Sequence, residues 1–126
     1  MENNPVGWFE IPVTDMDRAK KFYEQILGVE ISVHDMHELK MGWFPMDPGK
    51  PGASGSLVYH KEFYEPSDSK GVLIYLNCGD VEPTLELVEK AGGKVLQPKK
   101  QISPEHGYMG LFIDSEGNRM ALHSRR

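Results

Sequence analysis

The sequence predicts an α+β fold in which two βαβββ modules form one curved mixed sheet, with the helices outside and a concave pocket inside. The main observation is a repeat: FEIPVTDMDRAKKFYEQILGVEI, which starts at Phe9, returns in degenerate form as IYLNCGDVEPTLELVEKAGGKVL, which starts at Ile74. When Asp15 is aligned with Asp80, the apolar positions are kept. Each copy reads as a strand, a helix, a glycine turn and a strand. Two such modules in 126 residues predict one domain, residues 1–126, with its site where the modules meet.

Module one, about residues 6–61, is predicted to hold four strands and one helix. In the first strand, residues 7–13, Phe9 and Ile11 alternate with Trp8 and Glu10. Asp15 is a good N-cap for the helix, whose apolar stripe recurs at helical spacing until the glycine at position 28. The remaining strands are predicted at residues 29–33, 39–46 and 56–60.

Module two, about residues 70–124, repeats this plan after a polar bridge that is too short to be a flexible interdomain linker. Its first strand is predicted at residues 72–78, and Asp80 caps the second helix. The sequence AGGK ends that helix, and DSEGN is a tight turn near the end of the chain. The remaining strands are predicted at residues 94–97, 107–113 and 118–123.

The alternation of side chains separates a core face from a candidate site. A helix buries its apolar stripe on the sheet, so Phe9, Ile11 and Val13 are expected under the first helix. The opposite face mixes large apolar groups with a few ionisable ones, which is typical of a small-molecule pocket. Its predicted members are Trp8, Glu10, Pro12, Ser56, Val58, His60, Leu73, Tyr75, Asn77, Arg119, Ala121 and His123.

Charge and composition exclude several classes of partner. The net charge is -5 and no basic run occurs, which argues against nucleic acid. The N-terminal residues do not resemble a signal peptide, and no apolar run reaches membrane-spanning length. Cys78 is the only cysteine, so we expect no internal disulfide and no thiolate metal cluster. These features favour a cytoplasmic protein without a membrane partner.

Three segments carry a resemblance to a known family: EIPVTDMDRAKKFYEQILG, CGDVEPTLELVEKAGGKV and DSEGNRMALHS. With them the chain resembles the vicinal oxygen chelate superfamily, which includes glyoxalase I, extradiol dioxygenases and the fosfomycin- and bleomycin-resistance proteins. The stretch MGWFPMDPGKPGASGSLV is similar to an uncharacterised, glyoxalase-related branch. The resemblance covers nearly the whole chain and implies the fold. It does not imply one activity, because this superfamily hosts many reactions and some pure binding proteins.

The resemblance also implies where a metal would bind. The family's usual positions fall on Trp8, Leu73 and Ala121, and a further one falls near Ser56 or Val58. None of these offers the carboxylate or imidazole donors that divalent metals need. We therefore expect no metal at the usual site and no metal-dependent lactoylglutathione lyase activity.

Glu10 and His123 are the candidate catalytic residues. An inward carboxylate and an inward imidazole could act as an acid–base pair. The alternatives are a structural hydrogen bond, an ion pair between Glu10 and Arg119, or a displaced divalent metal held by Glu10, His60 and His123. The candidate ligand-binding residues are Trp8, Ser56, Val58, His60, Leu73, Tyr75, Asn77, Arg119 and Ala121.

Three classes of function remain open from the sequence. The first is a lyase, isomerase or other enzyme that acts on a small oxygenated metabolite through Glu10 and His123 without the usual metal. The second is a metal-free binding or sequestration protein of the bleomycin-resistance type. The third is a partner-binding module, for which no feature speaks. The resemblance further implies a homodimer, because small two-module members commonly pair and a twofold arrangement can complete both pockets.

Overall fold

The computed structural model describes residues 4–126 and contains two helices and two four-stranded sheets. Module one comprises β1 (Phe9–Pro12), α1 (Met16–Leu27), β2 (Ser32–Met36), β3 (Leu39–Trp43) and β4 (Gly55–Tyr59). Module two comprises β5 (Tyr75–Asn77), α2 (Val81–Lys90), β6 (Lys94–Ser103), β7 (Gly107–Ile113) and β8 (Arg119–Ser124). No helix in residues 4–126 is both long enough and apolar enough to cross a membrane.

The two sheets have the same topology, which confirms the two-module α+β fold. The first sheet has the order β1-β4-β3-β2 and the second has the order β5-β8-β7-β6. In each sheet the first and last strands of the module are parallel neighbours, and the other pairs are antiparallel. Where we expected one curved sheet, the described strands form two separately hydrogen-bonded sheets. β1 and β5 are edge strands that pair on one side only, and among the described residues no strand ladder joins the two sheets.

Both helices begin and end where their capping residues predict. The side chain of Asp15 accepts a hydrogen bond from the backbone N–H of Arg18 at 3.1 Å, and Asp80 does the same for Glu82 at 3.1 Å. Gly28 ends α1 in the left-handed conformation with φ 64°, and its N–H donates to the carbonyl of Glu24. Glycine suits this position because it has no Cβ to strain the left-handed backbone.

A single hydrophobic core lies between the helices and both sheets. Ile11 and Val13 are buried under α1, and Leu76 and Leu122 are buried on the helix side of the second sheet, as the alternation predicts. The core crosses from one module to the other, because the ring of Phe22 on α1 lies 6.1 Å from the ring of Phe112 on β7, centroid to centroid. The two modules therefore share one core.

Seven of the eight strands differ from the predicted bounds, and β2, β5 and β6 differ most. β2 starts at Ser32 because the preceding Ile31 turns into the core and donates its N–H to the carboxylate of Glu24 at 2.9 Å. β5 is only three residues long, which leaves Leu73 outside the strand. β6 extends to Ser103 with register shifts, which are irregularities typical of a strand that contains a proline, here Pro98.

The turn between β7 and β8 fastens module two onto module one through Glu116. The fully buried Glu116 carboxylate accepts hydrogen bonds from Thr14 N at 2.9 Å, from Asp15 N at 2.8 Å and from Arg18 Nε at 2.7 Å. It lies at the N-terminus of α1, where the helix dipole also favours a negative charge. We call this group of contacts the Glu116 latch.

A second buried contact lies beside the latch. The hydroxyl of the fully buried Tyr23 donates to Asp114 Oδ2 at 2.5 Å, and Asn118 Nδ2 donates to the same oxygen and to the carbonyl of Pro12. Burial raises the pKa of Asp114, and the hydrogen bonds from Tyr23 and Asn118 act in the opposite direction. These side chains tie α1, β1 and the β7–β8 turn together.

Candidate functional site

The strand register defines a helix-distal face on each sheet, which is the face turned away from α1 and α2. Ile11 and its partner Leu57 face the helices, so the neighbouring pair Glu10 and Ser56 lies on the helix-distal face. The same argument places Tyr75, Asn77, Arg119, Ala121 and His123 on the helix-distal face of the second sheet. The predicted face residues of β1, β4, β5 and β8 thus lie on the expected sides of their strands.

Aromatic rings cluster on the helix-distal face of module one. The rings of Trp8 and Trp43 meet edge to face with centroids 6.5 Å apart, and His34 lies against Trp43 at 3.9 Å. The indole Nε1 of Trp43 is buried and has no hydrogen-bond partner among the described residues. Sequence reasoning did not assign Trp43 or His34 to this face. The β3–β4 register pairs Trp43 with Ser56 and so places Trp43 on the helix-distal face.

The carboxylate of Glu10 is held by two side chains: Trp8 of module one and Tyr64 of the segment that connects the modules. The carboxylate accepts a hydrogen bond from Trp8 Nε1 at 3.3 Å and another, shorter one from the Tyr64 hydroxyl. The bond to Glu10, followed by burial, raises the pKa of the Tyr64 phenol. Sequence reasoning missed Tyr64 because it lies in an irregular segment, where no periodicity shows which way a side chain points.

His123 has a partner of its own. Its Nε2 lies 2.6 Å from the carbonyl oxygen of His106. Because a carbonyl oxygen only accepts, Nε2 carries the hydrogen and donates this hydrogen bond. We expected Glu10 to pair with His123 or Arg119, but its partners are Trp8 and Tyr64. Glu10 and His123 belong to separate sheets, and the segment between the sheets brings Tyr64 to the carboxylate instead.

Glu10, His60 and His123, the predicted ligands of a displaced metal, each form hydrogen bonds with different partners. His60 Nδ1 accepts hydrogen bonds from the backbone N–H groups of Glu62 and Phe63, and its ring lies 4.8 Å from that of Phe63. Glu10 and His123 have the partners given above. In residues 4–126 no group of three or more His, Cys, Asp or Glu side chains is arranged to hold a metal ion.

Exposure divides the predicted ligand-binding residues into two groups. Ser56, Val58 and Ala121 are completely buried, and the Ser56 hydroxyl lies within hydrogen-bonding distance of the carbonyls of Gly42 and Leu57. A ligand cannot reach these three without rearrangement. The accessible group has Trp8 with 39% and Tyr75 with 50% of its surface exposed. Asn77 is also exposed, and His60, Leu73, Arg119 and His123 are partly exposed.

Two cavities lie away from the helix-distal face of module two. One, of about 630 Å³, lies between the second half of α1 and the ends of β2 and β3, with Lys20, Glu24 and Trp43 in its lining. The other, of about 330 Å³, lies at the start of α1 and is lined by Asp15, Lys40 and other residues. Neither is lined by Glu10 or His123. The pocket expected inside the sheet therefore stays a prediction.

Cys78 lies on the helix side of the second sheet. It is partly buried, its sulfur is 3.6 Å from the carbonyl oxygen of His123, and burial raises the pKa of its thiol. A raised pKa reduces the thiolate fraction that would react as a nucleophile. Cys78 is therefore a poor nucleophile.

Comparisons with known proteins place the chain in a family. Residues 6–122 match the family model of the Glyoxalase/Bleomycin resistance protein/Dioxygenase superfamily, and the chain belongs to this superfamily. A glyoxylase-like domain-containing protein of Didymella fabae is 32% identical over 123 residues, which cover 95% of this chain and 93% of that protein. The uncharacterised protein YetH of Bacillus subtilis is 25% identical over 117 residues, which cover 93% of this chain and 95% of that protein.

Solved structures share the fold. Glyoxalase I from Zea mays superimposes with a TM-score of 0.71 at 20% identity, over 96% of this chain and 46% of that chain. This chain thus spans about half the length of the maize enzyme. A glyoxylase/bleomycin resistance protein/dioxygenase domain from Frankia sp. EAN1pec superimposes with a TM-score of 0.70 at 17% identity, over 98% of both chains. At these identities the likeness extends to the fold alone.

The family's usual metal positions do not fit a metal in this chain. Trp8, Leu73 and Ala121 present an indole, a branched alkyl group and a methyl group, none of which is a ligand for a divalent cation. Ser56, near the fourth position, directs its hydroxyl to backbone carbonyls. No chemical step can therefore be assigned to a metal at these positions.

Proposed function

We propose that this protein binds a small molecule on its helix-distal face and acts as a metal-free binding or sequestration protein. The observation that carries the proposal is the separate engagement of Glu10 and His123. An enzyme that uses this pair needs the carboxylate and the imidazole to act together on one substrate, whereas His123 Nε2 donates to a carbonyl in module two and Glu10, on the other sheet, accepts from Trp8 and Tyr64.

The accessible side chains support binding. Trp8 and Tyr75 offer large, exposed aromatic surfaces, which contribute binding free energy through apolar burial while their polar groups orient a ligand. The carboxylate of Glu10 and the imidazole of His123 are the polar groups next to them on the same faces. In this proposal they fix the orientation of the ligand rather than transfer its protons.

An enzyme that acts on a small oxygenated metabolite is the second candidate. It is favoured by the partial burial of both Glu10 and His123 on the faces that also carry exposed aromatic rings. Because Nε2 of His123 donates to the His106 carbonyl, the lone pair of the neutral imidazole lies on Nδ1, which is the nitrogen that would serve as general base.

A thermal-shift screen of small metabolites and divalent metals, with elemental analysis of the purified protein, tests the proposal. A true ligand should raise Tm by an amount that grows with the logarithm of its concentration above Kd, and mass spectrometry should recover it unchanged. Glu10→Gln and His123→Ala should each weaken its binding with the fold intact. Glu86→Gln, an exposed carboxylate on α2, is the matched control and should bind normally.

The outcomes separate the two candidates. If the wild-type protein converts the ligand and both variants do not, the protein is an enzyme rather than a binding protein. Stoichiometric metal in the purified protein would contradict the metal-free part. Normal binding and normal turnover in both variants would show that the site lies elsewhere.

We also propose a homodimer in the cytoplasm. Exposed Phe63 and Val72 leave apolar surface outside the ligand site that a twofold-related copy would cover. Light scattering at micromolar concentration should give twice the chain mass of 14.3 kDa, and a monomer mass would contradict the dimer. The single cysteine supports a reducing compartment, which cell fractionation tests.

A further inference from the structure

The second sheet has an unusual charge distribution for a protein of net charge -5. Its four strands contain no Asp or Glu, although the whole chain has 19 acidic residues. The same strands contain four cationic residues: Lys94, Lys99, Lys100 and Arg119. The acidic residues of the chain therefore lie elsewhere, and this sheet is a local positive region.

The strand register assigns these cations to faces. Arg119 pairs with Ile113, which pairs with Lys94, so all three share the helix-distal face. His123, Met109 and Lys100 form a second such row. Lys99 is on the helix side, where it forms an ion pair with Asp80 at 2.9 Å and lies 4.5 Å from the centroid of the Tyr108 ring.

The cations of the helix-distal face are not neutralised. Within residues 4–126, none of the ion pairs involves Lys94, Lys100 or Arg119. The partly buried Arg119 also has no side-chain hydrogen bond to the described residues, although its backbone N–H donates to Ser67. A guanidinium with five donors and no acceptor is the group that most readily binds a carboxylate or a phosphate.

The middle of this face has no charged side chain. A third row, between the two cationic rows, contains Tyr75, Ala121, Leu111 and Gln97 in that order across the sheet. Neighbouring rows on one face are two residues apart along a strand, so their Cα atoms are about 7 Å apart. Arg119 and Lys94 are in one row but two strands apart, so their Cα atoms are about 10 Å apart. These spacings suit a molecule the size of one ring with a single anionic group.

We propose that the helix-distal face of module two binds a small organic anion, an aromatic or alkyl carboxylate, with its anionic group on Arg119 and its apolar part against Leu111 and Tyr75. The inference rests on the proposed function and adds the chemical class of the ligand. A polyanion such as nucleic acid does not fit, because the positive region is one sheet face on an acidic protein.

Benzoate is the probe, with benzamide as its neutral and benzylamine as its cationic counterpart. Each is titrated into the full ¹⁵N-labelled chain, and amide chemical shifts give the site and Kd. Benzoate should produce saturable shifts at Arg119, Ala121 and Leu111. Benzamide and benzylamine should bind at least about tenfold more weakly, since benzamide offers the guanidinium one neutral acceptor oxygen instead of a bidentate carboxylate and benzylamine is itself a cation.

Arg119→Gln is the decisive variant, because within residues 4–126 the Arg119 side chain has no hydrogen-bond or ion-pair partner whose loss would disturb the fold. It should raise the Kd of benzoate about tenfold while leaving the amide spectrum otherwise native. Lys21→Gln removes the same charge from an exposed position of α1 and should change Kd less than about twofold, since solvent and salt screen distant charges.

Three results would overturn the inference, and they differ in what else they affect. Equal binding of benzoate and benzamide on this face would contradict the anionic class but support the small-molecule site. Equal weakening by Arg119→Gln and Lys21→Gln would mean a diffuse charge effect. No saturable shift on this face with any of the three probes would contradict this inference, while the proposed function would still be decided by the thermal-shift screen.

Discussion

Replacement of Glu116 by glutamine should destabilise the protein in a pH-dependent way, because the Glu116 latch depends on a negative charge. The carboxylate accepts hydrogen bonds from two backbone N–H groups and from the Arg18 guanidinium, with donor–acceptor distances of 2.7 to 2.9 Å. Glutamine keeps one acceptor oxygen but turns an NH₂ group toward these donors. The latch spans about a hundred residues of sequence, so its loss weakens the contact between the modules.

The pKa of Glu116 sets the size of the effect. Burial raises the pKa of this carboxyl, but the hydrogen bonds from Arg18, Asp15, Thr14 and Ser115 outweigh it and lower the pKa from 4.5 to about 2. The two values differ by about 2.5, which at about 1.36 kcal/mol per pKa unit is an upper bound of ~3.4 kcal/mol. Since Arg18 is 52% exposed, solvent screening reduces this, and we expect a cost of about 2 kcal/mol.

The sign follows from the lowered pKa. Stabilisation by the Glu116 carboxylate is fully present above its unfolded pKa of 4.5 and is lost as the pH falls toward the folded value of about 2. The difference in free energy of unfolding between wild type and Glu116→Gln should therefore be about 2 kcal/mol at pH 7 and should shrink between about pH 5 and pH 2. Urea denaturation measures it without adding salt.

A matched control separates the latch from a general charge effect. Glu86→Gln removes one exposed carboxylate from α2 and should change the free energy of unfolding by less than about 0.5 kcal/mol at every pH. The reasoning is wrong if Glu116→Gln costs as much at pH 3 as at pH 7, or if it costs no more than Glu86→Gln at pH 7.

Three further predictions concern single side chains. Tyr23→Phe removes the donor to Asp114 and should cost about 1–3 kcal/mol in urea denaturation at pH 7; a smaller loss would show that this hydrogen bond adds little. Gly28→Ala should lower the free energy of unfolding by about 1 kcal/mol, because a Cβ there has open space but strains the backbone at φ 64°. Gly79→Ala is the control: the space is equally open and φ is not positive, so this variant should not be destabilised. Cys78 should react with a thiol reagent at pH 8 at least about tenfold more slowly in the folded than in the unfolded chain; equal rates would contradict the raised pKa of this thiol.

The fold was predictable because its determinants are local or repeated. Asp15 and Asp80 cap helices through bonds to N–H groups two or three residues away, and Gly28 ends α1 by its own backbone freedom. Strand alternation likewise identified the core face at Ile11 and Leu76. Such signals lie within a few residues of each other, so a sequence displays them directly.

The partners of the site residues were not predictable in the same way. Tyr64 reaches Glu10 from 54 positions away and Glu116 reaches Thr14 from 102 positions away, through segments without periodicity. The division into two sheets has the same origin, because it depends on how the connecting segment runs between β1 and β5. Alternation gives the face of a residue, but only the tertiary fold gives its neighbour.

The charge pattern of the second sheet could be predicted from the sequence only in part. The absence of acidic residues from β5–β8 can be read from the sequence once the strands are known. Alternation alone assigns Lys94 and Lys100 to one face and Lys99 to the other, but placing Gln97 on the same face as Lys94 and Lys100 requires the register shifts of β6.

A crystallographic fragment screen tests the central claim, that a small molecule binds on the helix-distal face, most directly. The account predicts that bound fragments gather there, next to Trp8, Tyr75 or Arg119, and that carboxylates dominate those near Arg119. Fragments that gather instead in the cavity of about 630 Å³ beside Glu24 and Lys20, and leave the helix-distal face free, would contradict it.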